Sequence, residues 1–321
     1  MNRPAAQRKR PTLRELSAIT GLSPAGVSYA LRGERVSKAT AARVQAEARR
    51  IGFRTDPVAR ALRGGRTGLV GVIGGSLADY WHQEFVSHLQ RHLAGHELRV
   101  LLADAGGDPD AELGLAEELA DHRVDGLVVL PLDPRASGWS RVASATPTVA
   151  VNAALPSPAR SLRFEAAAGI ELALGHLTEL GHERIAVLGG GPHRVPRRAG
   201  VRRIRCGPSA ADGHRAALEL LSGDDRPTAV FALSDTLAYG VYEACAGLGL
   251  AIPGGLSVVG FDDHPVSALL RPPLTAVAWD TEGAAASAAA MLSELLEGQP
   301  AGEPVTIEPR LAPRESAASP R

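Results

Sequence analysis

The sequence predicts a small all-α head that contains a helix-turn-helix, followed by an α/β body of two doubly wound parallel-sheet subdomains. Three observations lead to this prediction. Apolar residues recur at helical spacing between residues 11 and 51, short apolar runs alternate with helical segments from Leu69 onward, and that alternation occurs twice. At 321 residues the chain has room for a head and one or two larger units.

Two short helices are expected to meet at a tight corner near the start of the chain. Gly21 permits a left-handed turn, and Ser23 is positioned to cap the second helix, which has Pro24 as its first residue. The apolar stripe of the first helix comprises Leu13, Leu16 and Ile19. The pattern is typical of a helix-turn-helix, although an ordinary helical hairpin would show it too.

The second helix has one apolar and one polar face. Its expected buried stripe is Val27, Ala30 and Leu31, and its outward face carries Pro24, Ala25, Ser28, Tyr29 and Arg32. A face of this kind fits a DNA major groove. A third helix, capped by Ser37 and ended by Gly52, completes the core through Ala41, Val44, Ala48 and Ile51.

Charge is divided unevenly along a chain that is neutral as a whole. Residues 1–66 contain 15 Lys and Arg against 4 Asp and Glu, so the rest of the chain has a matching excess of acidic residues. A basic head is attracted to phosphate. A solvated basic tail explains Arg8, Lys9 and Arg10, but not the basic residues that lie between the apolar positions of the helices.

The composition favours a cytoplasmic protein, and a head that binds DNA would associate it with the nucleoid. No apolar run approaches the roughly 18 residues that span a bilayer, and the N-terminus lacks the apolar core of a signal peptide. Cys206 and Cys245 are the only cysteines, and their spacing predicts free thiols. We therefore expect no membrane partner.

The body follows a strand and helix alternation in two series. Strands of the first series are expected at 69–73, 98–102, 126–130 and 148–151, with helices near 80–95 and 108–122. The second series has strands at 185–188, 228–233 and 256–260, with helices near 164–180, 211–222, 234–248 and 281–297. Because ligands bind at the carboxyl ends of such strands, a ligand cleft is expected between the two subdomains.

Motifs spread over about nine tenths of the chain occur in the order of a known family. They are Thr12-Leu13 through Arg32, Arg35-Val36-Ser37, Ile51-Gly52-Phe53, Val58 through Arg63, Leu177 through Gly190, Ser234-Asp235, and Val258 through Asp263. With them the chain resembles the lactose-repressor/galactose-repressor family of bacterial transcription regulators. The resemblance implies a periplasmic-binding-protein-like body and a homodimeric repressor. Such a repressor binds a palindromic double-stranded DNA operator under the control of a small-molecule effector, most simply a carbohydrate.

The same resemblance assigns residues to DNA. Base reading falls at Pro24, Ala25 and Tyr29, phosphate contact at Ser28, Arg32 and Lys38, and further contacts of the motif at Thr12, Leu13 and Ser23. In the linker the family forms a hinge helix on DNA, with Leu62 as the matched minor-groove wedge and Val58 and Ala59 beside it. Two departures stand out. Tyr29 replaces a common arginine, and Asp56 either introduces an acid where phosphate would lie or caps the hinge helix, with Pro57 in its first turn.

The resemblance also assigns an effector site. The matched positions, which follow the ends of predicted strands, are Asp79, Tyr80, Trp81, Arg197, Asp235, Phe261, Asp262 and Trp279. Carboxylate and guanidinium groups bind hydroxyls or a polar ring, and tryptophan offers a flat apolar face. The alternative is that each tryptophan is simply a surface or core residue.

One departure concerns the second subdomain. After Val201 the family runs through a full helix and loop, whereas this chain reaches Arg202 to Gly207 at once, so roughly twenty residues are missing. We expect one face of this subdomain to be thin, with effector binding either altered or lost.

Other patterns give no catalytic, metal or cofactor site. His88, His92 and His96 lie four residues apart, but no acidic or cysteine spacing supports a closed metal site, and a solvated helix face explains them. Gly189 to Pro192 lacks a phosphate-loop signature and is interpreted as a flexible turn. An exported sugar receptor would need a signal peptide and no basic head, and an enzyme would need an activated nucleophile or an acid–base pair. We therefore expect no enzyme and no cofactor.

The predicted domain order follows from these assignments. It comprises a disordered basic arm (1–10), the helix-turn-helix domain (11–53), the hinge (54–67), the effector-binding and dimerisation domain (68–312) and a disordered tail (313–321).

Overall fold

The structure is a computed structural model that describes residues 11–53, 66–190, 195–223 and 225–320. Contacts divide the chain between Thr67 and Gly68 into a head and a body, each of which is taken by itself. No helix in these ranges is long and apolar enough to cross a membrane.

Three helices form the head. They are α1 (Leu13–Thr20), α2 (Pro24–Arg32) and α3 (Lys38–Ile51). Ser23 and Ser37 cap α2 and α3 as predicted, and Thr12 forms a reciprocal capping box with Glu15 at the start of α1. Each helix ends at a glycine in the left-handed conformation, namely Gly21, Gly33 and Gly52.

The head closes around a small core that largely agrees with the predicted stripes. Its buried side chains are Leu16, Val27, Ala30, Val44 and Ala48, with Leu13, Leu31 and Ile51 packed at the margin. Ile19 is different, because 45% of its surface is exposed. Its position in the predicted stripe was wrong, since the short helix α1 turns this residue away from the contact with α2 and α3.

The first subdomain contains a six-stranded sheet in which every pair is parallel. The strands, in spatial order, are β11 (Val305–Ile307), β5 (Arg160–Phe164), β4 (Thr148–Val151), β3 (Gly126–Val129), β1 (Leu69–Gly74) and β2 (Arg99–Asp104). One face packs on α4 (Tyr80–Gly95) and α10 (Thr281–Leu296), and the other on α5 (Pro109–Asp121) and α6 (Gly138–Ala145).

The second subdomain repeats this plan with one antiparallel edge. Its strands, in order, are β12 (Arg310–Ala312), β10 (Thr275–Ala278), β9 (Ser257–Asp262), β8 (Ala229–Ala232), β6 (Ile185–Leu188) and β7 (Val201–Ile204), of which β12 pairs antiparallel with β10. Its helices are α7 (Ala166–Glu179), α8 (Ala210–Ser222), α9 (Asp235–Leu248) and a 3-10 turn (Pro265–Leu269).

Glycines allow α8 and α9 to approach closely. A Cβ on Gly240 would lie 2.1 Å from the carbonyl oxygen of Ala210 and 2.4 Å from the backbone nitrogen of His214. Since those atoms are backbone, they cannot move aside, and any side chain at this position would separate the helices.

The thin face predicted for the second subdomain is present in the described residues. Helices α8 and α9 cover one face of the sheet, whereas among the described helices α7 is the one that packs against the strands on the other face. Residues 195–200 contain no helix, and β7 begins directly after Gly200.

The expected disordered tail was wrong for the residues that the structure describes. Ser316 is fully buried, donating to the carbonyl of Val258 at 2.6 Å and accepting from the backbone nitrogen of Thr275 at 2.7 Å. Ala318 exchanges hydrogen bonds with the Ser257 hydroxyl. A stretch of small and polar residues is therefore ordered by serine hydroxyl and backbone hydrogen bonds to the second sheet, which local composition does not reveal.

Candidate DNA-binding surface and effector cleft

The outward face of α2 is built around Tyr29. The guanidinium carbons of Arg32 and Arg35 lie 5.2 and 5.1 Å from the centre of its ring. Arg35 also donates from Nη1 to the tyrosine hydroxyl at 3.2 Å. Two cations therefore lie beside one aromatic ring, an arrangement in which the ring holds both guanidinium groups by cation–π attraction.

The other predicted DNA contacts surround this group. Ser23, Pro24, Ala25, Arg32 and Lys38 are exposed, and Ser28 is half-buried where its hydroxyl accepts from Arg32 at 2.9 Å. Thr12 and Leu13 are at the start of α1, where Thr12 caps the helix and Leu13 packs against the core. Val58, Ala59 and Leu62, the predicted hinge residues, lie outside the described residues.

In the body, the predicted effector residues are positioned by the ends of parallel strands. Asp79 follows β1 and caps α4 by accepting from the backbone nitrogen of Trp81 at 2.9 Å. Asp235 begins α9 after β8, Asp262 ends β9, and Trp279 follows β10. This geometry places them around the carboxyl edges of both sheets, as the alternation of strands and helices predicts.

The two subdomains touch each other at this cleft. The backbone nitrogen of Tyr80, in the first subdomain, donates to the hydroxyl of Thr236, in the second, at 3.4 Å. The Tyr80 ring centre lies 6.0 Å from that of Tyr239 and 5.5 Å from that of His264. The cleft is thus closed at this side by a polar and aromatic contact rather than by a continuous chain segment.

An aromatic stack continues behind the contact. Phe164, the last residue of β5, is edge-to-face with both Trp81 and Trp279, at 5.1 Å between centres in each case. Trp279 contacts Phe261 at 5.4 Å, and Phe261 contacts Phe231. Trp81, Phe164 and Trp279 are all buried, and Trp81 is also stacked on Phe85 of its own helix at 5.4 Å between ring centres.

Two carboxyl groups of the cleft have perturbed protonation. Burial raises the pKa of Asp262 well above its usual range, and the neighbouring carboxylates of Asp79 and Asp235 raise it further. The indole of Trp279 opposes this shift by donating to Oδ1 of Asp262 at 3.2 Å. Burial likewise raises the pKa of Asp235 to about 7, although its Oδ2 accepts from the Ser267 hydroxyl and from the His264 backbone nitrogen.

The backbone is also unusual at this position. Asp262 and Asp263 both have positive φ angles, 114° and 56°. Non-glycine residues adopt such angles infrequently, and Asp263, near the left-handed helical region, is of a residue type that tolerates them, whereas the angle of Asp262 is less common. The end of β9 therefore carries strain beside the perturbed carboxyl groups.

The described structure does not bring Arg197 to this group. Its side chain is exposed, and no hydrogen bond or ion pair joins it to another described residue, whereas its neighbour Arg198 pairs with Glu171. The connection from β6 to β7 contains no helix over 195–200 that could direct Arg197 into the cleft.

Several cleft residues were not predicted. They are Phe164, Thr236, Tyr239, His264 and Ser267. Thr236 and Tyr239 follow Asp235 by one and four residues on α9, so helical spacing from Asp235 could have identified them. Phe164 and Ser267 carry no such signal, because only the packing of distant strands places them at the cleft.

No metal centre forms among the described residues, where no group of three or more metal-ligating side chains assembles. The histidines of α4 instead have separate neighbours. His88 lies 3.7 Å from Glu84 and 3.9 Å from Glu282, and His96 approaches Ser293 at 3.5 Å.

Comparison with known proteins gives consistent matches over head and body. A family model described as a periplasmic binding protein-like domain matches residues 174–317. The ribose operon repressor of Escherichia coli strain K12 is 28% identical over 83% of this chain and 87% of its own. The transcriptional repressor CytR of the same strain is 26% identical over 92% of this chain and 93% of its own.

Solved structures extend the likeness to three dimensions. A lac repressor bound to ONPG in the repressed state has a TM-score of 0.83 and 25% identity, covering 96% of this chain and all of that one. A complex of the regulator CelR with cellobiose has a TM-score of 0.67 and 24% identity, covering 96% of this chain and all of that one. These values show that the fold of this chain is similar to that of the lac repressor and CelR over nearly the whole length of the chain.

Proposed function

We propose that the chain is a member of the lactose-repressor/galactose-repressor family and that it is a sequence-specific transcriptional repressor controlled by a small-molecule effector. The observation that carries the proposal is the combination of two parts in one chain. The head presents Tyr29 between two arginines on an exposed helix, and the body has a cleft with perturbed carboxyl groups at the strand ends. The relatives named above are repressors rather than enzymes.

The head supplies the chemistry of a DNA-binding surface. Exposed Arg32, Arg35 and Lys38 can meet phosphates, while Pro24 and Ala25 at the first turn of α2 are small enough for that turn to approach base edges. Tyr29 can pack on a thymine methyl but cannot make the two-pronged contact of arginine with guanine. The operator should therefore differ from that of relatives with arginine at this position.

The effector is a carbohydrate or a similarly flat polar molecule. Asp79 and Asp262 provide acceptors for hydroxyl groups, and Trp81 and Trp279 provide flat apolar faces. Among structurally similar proteins, CelR was solved with cellobiose and a lac repressor with ONPG. Arg197 belongs to the proposed site only if the connection before β7 rearranges when the effector enters.

The effector acts by changing the contact between the subdomains. Tyr80 meets Thr236, Tyr239 and His264 in the closed cleft, so a molecule inserted beside them must alter the angle between the two sheets. A difference of about 1–3 kcal/mol in its affinity for the two arrangements is enough to change operator occupancy. The linker, residues 54–67, is proposed as the hinge that transmits the change, with Leu62 as its minor-groove wedge.

A homodimer is the proposed assembly. Strand β2 is an edge strand of the first sheet, and its Leu101 and Leu102 are 38% and 48% exposed. Exposed leucines on an unpaired edge favour association with another chain, and a similar lac repressor was solved as a dimer bound to operator. Two heads on a dimer match a palindromic operator, and a protein with this role works in the cytoplasm.

Genome-wide mapping of bound sites followed by a gel-shift titration tests the proposal. The full chain should protect a palindromic sequence in preference to random competitor, with an affinity that falls steeply with salt. Leu62→Ala should weaken this binding while leaving the thermal unfolding of the head unchanged. The absence of any preferred palindrome, with or without metabolites encoded near the mapped sites, would contradict the proposal.

A further inference from the structure

The strand β7 and the loop before it form a basic surface on an otherwise acidic body. Between Glu183 and Asp212 the sequence contains seven arginines and no acidic residue. The described members of this set are Arg184, Arg197, Arg198, Arg202, Arg203 and Arg205. A concentration of one sign of charge, on a body of opposite overall sign, produces a local field that attracts anionic groups.

The surface lies at the free edge of the second sheet. Strand β7 pairs with β6 on one side, and no described strand pairs with it on the other. In a parallel pair, alternate residues direct their backbone groups away from the partner. Arg202 lies opposite Ala186 and Arg203 opposite Val187. Gly200 and Ile204 accept hydrogen bonds from the β6 side, so the backbone groups of Arg203, between them in the alternation, point to the open edge. Such an edge can accept an additional strand.

The arginines of this edge are only partly neutralised. Arg198 pairs with Glu171, and Arg202 lies 3.9 Å from the exposed Asp225. Arg197 and Arg205 are exposed without a hydrogen bond or ion pair to any described residue. Two or more carboxylates could therefore bind along the edge without displacing an existing pair.

Arg203 is the arginine of this edge whose buried donors lack a hydrogen-bond acceptor among the described residues. Its Nε and Nη2 atoms are buried and have no hydrogen-bond partner among the described residues. Strand alternation places this side chain on the same face as Val201, which packs with the cluster that α7 covers. Leaving guanidinium nitrogens buried without acceptors is costly, and a carboxylate supplies two well-placed acceptors at once.

We propose that the free edge of β7 binds an acidic, extended segment of another protein, which adds a strand to the second sheet and places carboxylates on Arg197, Arg203 and Arg205. A polypeptide fits better than nucleic acid because the edge offers backbone donors and acceptors as well as charge. This inference goes beyond the proposed repressor function and does not rest on it.

The test uses a fluorescent eight-residue peptide of alternating Glu and Val, titrated into the full chain while anisotropy is recorded. Arg197→Glu with Arg205→Glu, both exposed positions, should weaken binding by about tenfold or more. The matched control is Arg135→Glu with Arg163→Glu, two exposed arginines elsewhere in the body without a described side-chain partner, which should leave the affinity unchanged. Hydrogen exchange should show the amides of residues 201–205 protected by the peptide.

Three results would overturn the proposal. If the variant with Arg197→Glu and Arg205→Glu binds the peptide as tightly as the control variant does, the β7 edge is not the binding site, and the basic head is the remaining cationic surface. Equal affinity for a peptide of the same charge with proline at alternate positions would exclude strand addition, because proline cannot donate to the ladder. A double-stranded non-operator DNA that protects residues 201–205 more strongly than the peptide would identify a nucleic-acid surface. Operator binding by the same variants reports separately on the repressor function.

Discussion

Trp279 donates its indole N–H to Oδ1 of Asp262 at 3.2 Å, and the hydrogen bond joins the ends of β9 and β10 at the floor of the cleft. The acceptor has a pKa raised by burial and by nearby carboxylates, so this donor stabilises the charged form against its surroundings. The same indole ring packs edge-to-face on Phe164, in the other subdomain. Trp279 therefore contacts both the carboxyl group of Asp262, whose pKa it lowers, and Phe164 of the other subdomain.

Trp279→Phe should weaken effector binding while leaving operator binding intact. Phenylalanine keeps an aromatic ring but removes the donor to Asp262, so we expect a loss of at least about tenfold in effector affinity, near 1.4 kcal/mol. Calorimetric titration with the metabolite indicated by the mapped genes measures it. Trp139→Phe is the matched control, because Trp139 is also buried and donates its indole N–H, but to Asp133 outside the cleft. An unchanged affinity in Trp279→Phe would remove this residue from the site.

Asp235→Asn should flatten the pH dependence of folding stability. An unfolded aspartate has a pKa of about 4, whereas burial raises that of Asp235 to about 7 in the folded protein. Between these values the folded state holds a proton that the unfolded state has released, so stability falls as pH rises from about 4 to about 7 and is then constant. Urea titrations across this range should show a decrease smaller by about 4 kcal/mol in the variant, because each of the roughly three pKa units corresponds to about 1.4 kcal/mol. Asp225→Asn, at an exposed site, should retain the full decrease, and an unaltered slope in Asp235→Asn would contradict the prediction.

Ser316→Ala should destabilise the body even though Ser316 lies only five residues before Arg321. The substitution leaves the carbonyl of Val258 and the backbone nitrogen of Thr275 buried without the hydroxyl that now serves both. We expect a loss of about 1–3 kcal/mol in the free energy of unfolding, measured by urea denaturation. Ser319→Ala, at an exposed position, serves as the control and should be neutral. Equal stability of the two variants would show that the tail does not contribute to the sheet.

Arg35→Ala should reduce the salt dependence of operator binding. Its guanidinium stacks on Tyr29 and donates to the tyrosine hydroxyl, which leaves it positioned rather than mobile at the exposed face of the head. If it meets a phosphate, its removal should lower the slope of log affinity against log salt by about one. Gel-shift titrations at several salt concentrations measure the slope. Arg14→Ala, an exposed arginine on α1, provides a comparison, and the same slope in wild type and Arg35→Ala would rule out the phosphate contact.

The sequence by itself determined the three head helices and most of the alternating strands and helices of the body, but it did not indicate α6, β5, β7, β11 or β12. Ser23 and Ser37 cap helices because a hydroxyl at that point satisfies a free backbone N–H, and this interaction needs only a few neighbouring residues. Buried runs such as Ile185–Leu188 appear as parallel strands because both faces of these strands are covered. Residues that follow the predicted strands, among them Asp79 and Asp262, could therefore be assigned to a cleft from the sequence pattern alone.

Only the tertiary structure decided which side chains share that cleft. Phe164 and Trp279 are 115 positions apart, and no local pattern relates them, since their contact depends on how two sheets face each other. The same limit applies to Ser316, which is ordered by strands far earlier in the chain, and to Arg203, whose side chain on β7 has buried nitrogens without an acceptor on the face that α7 covers. Local interactions select helices and strands, whereas burial and charge pairing arise from long-range packing, which a sequence pattern does not contain.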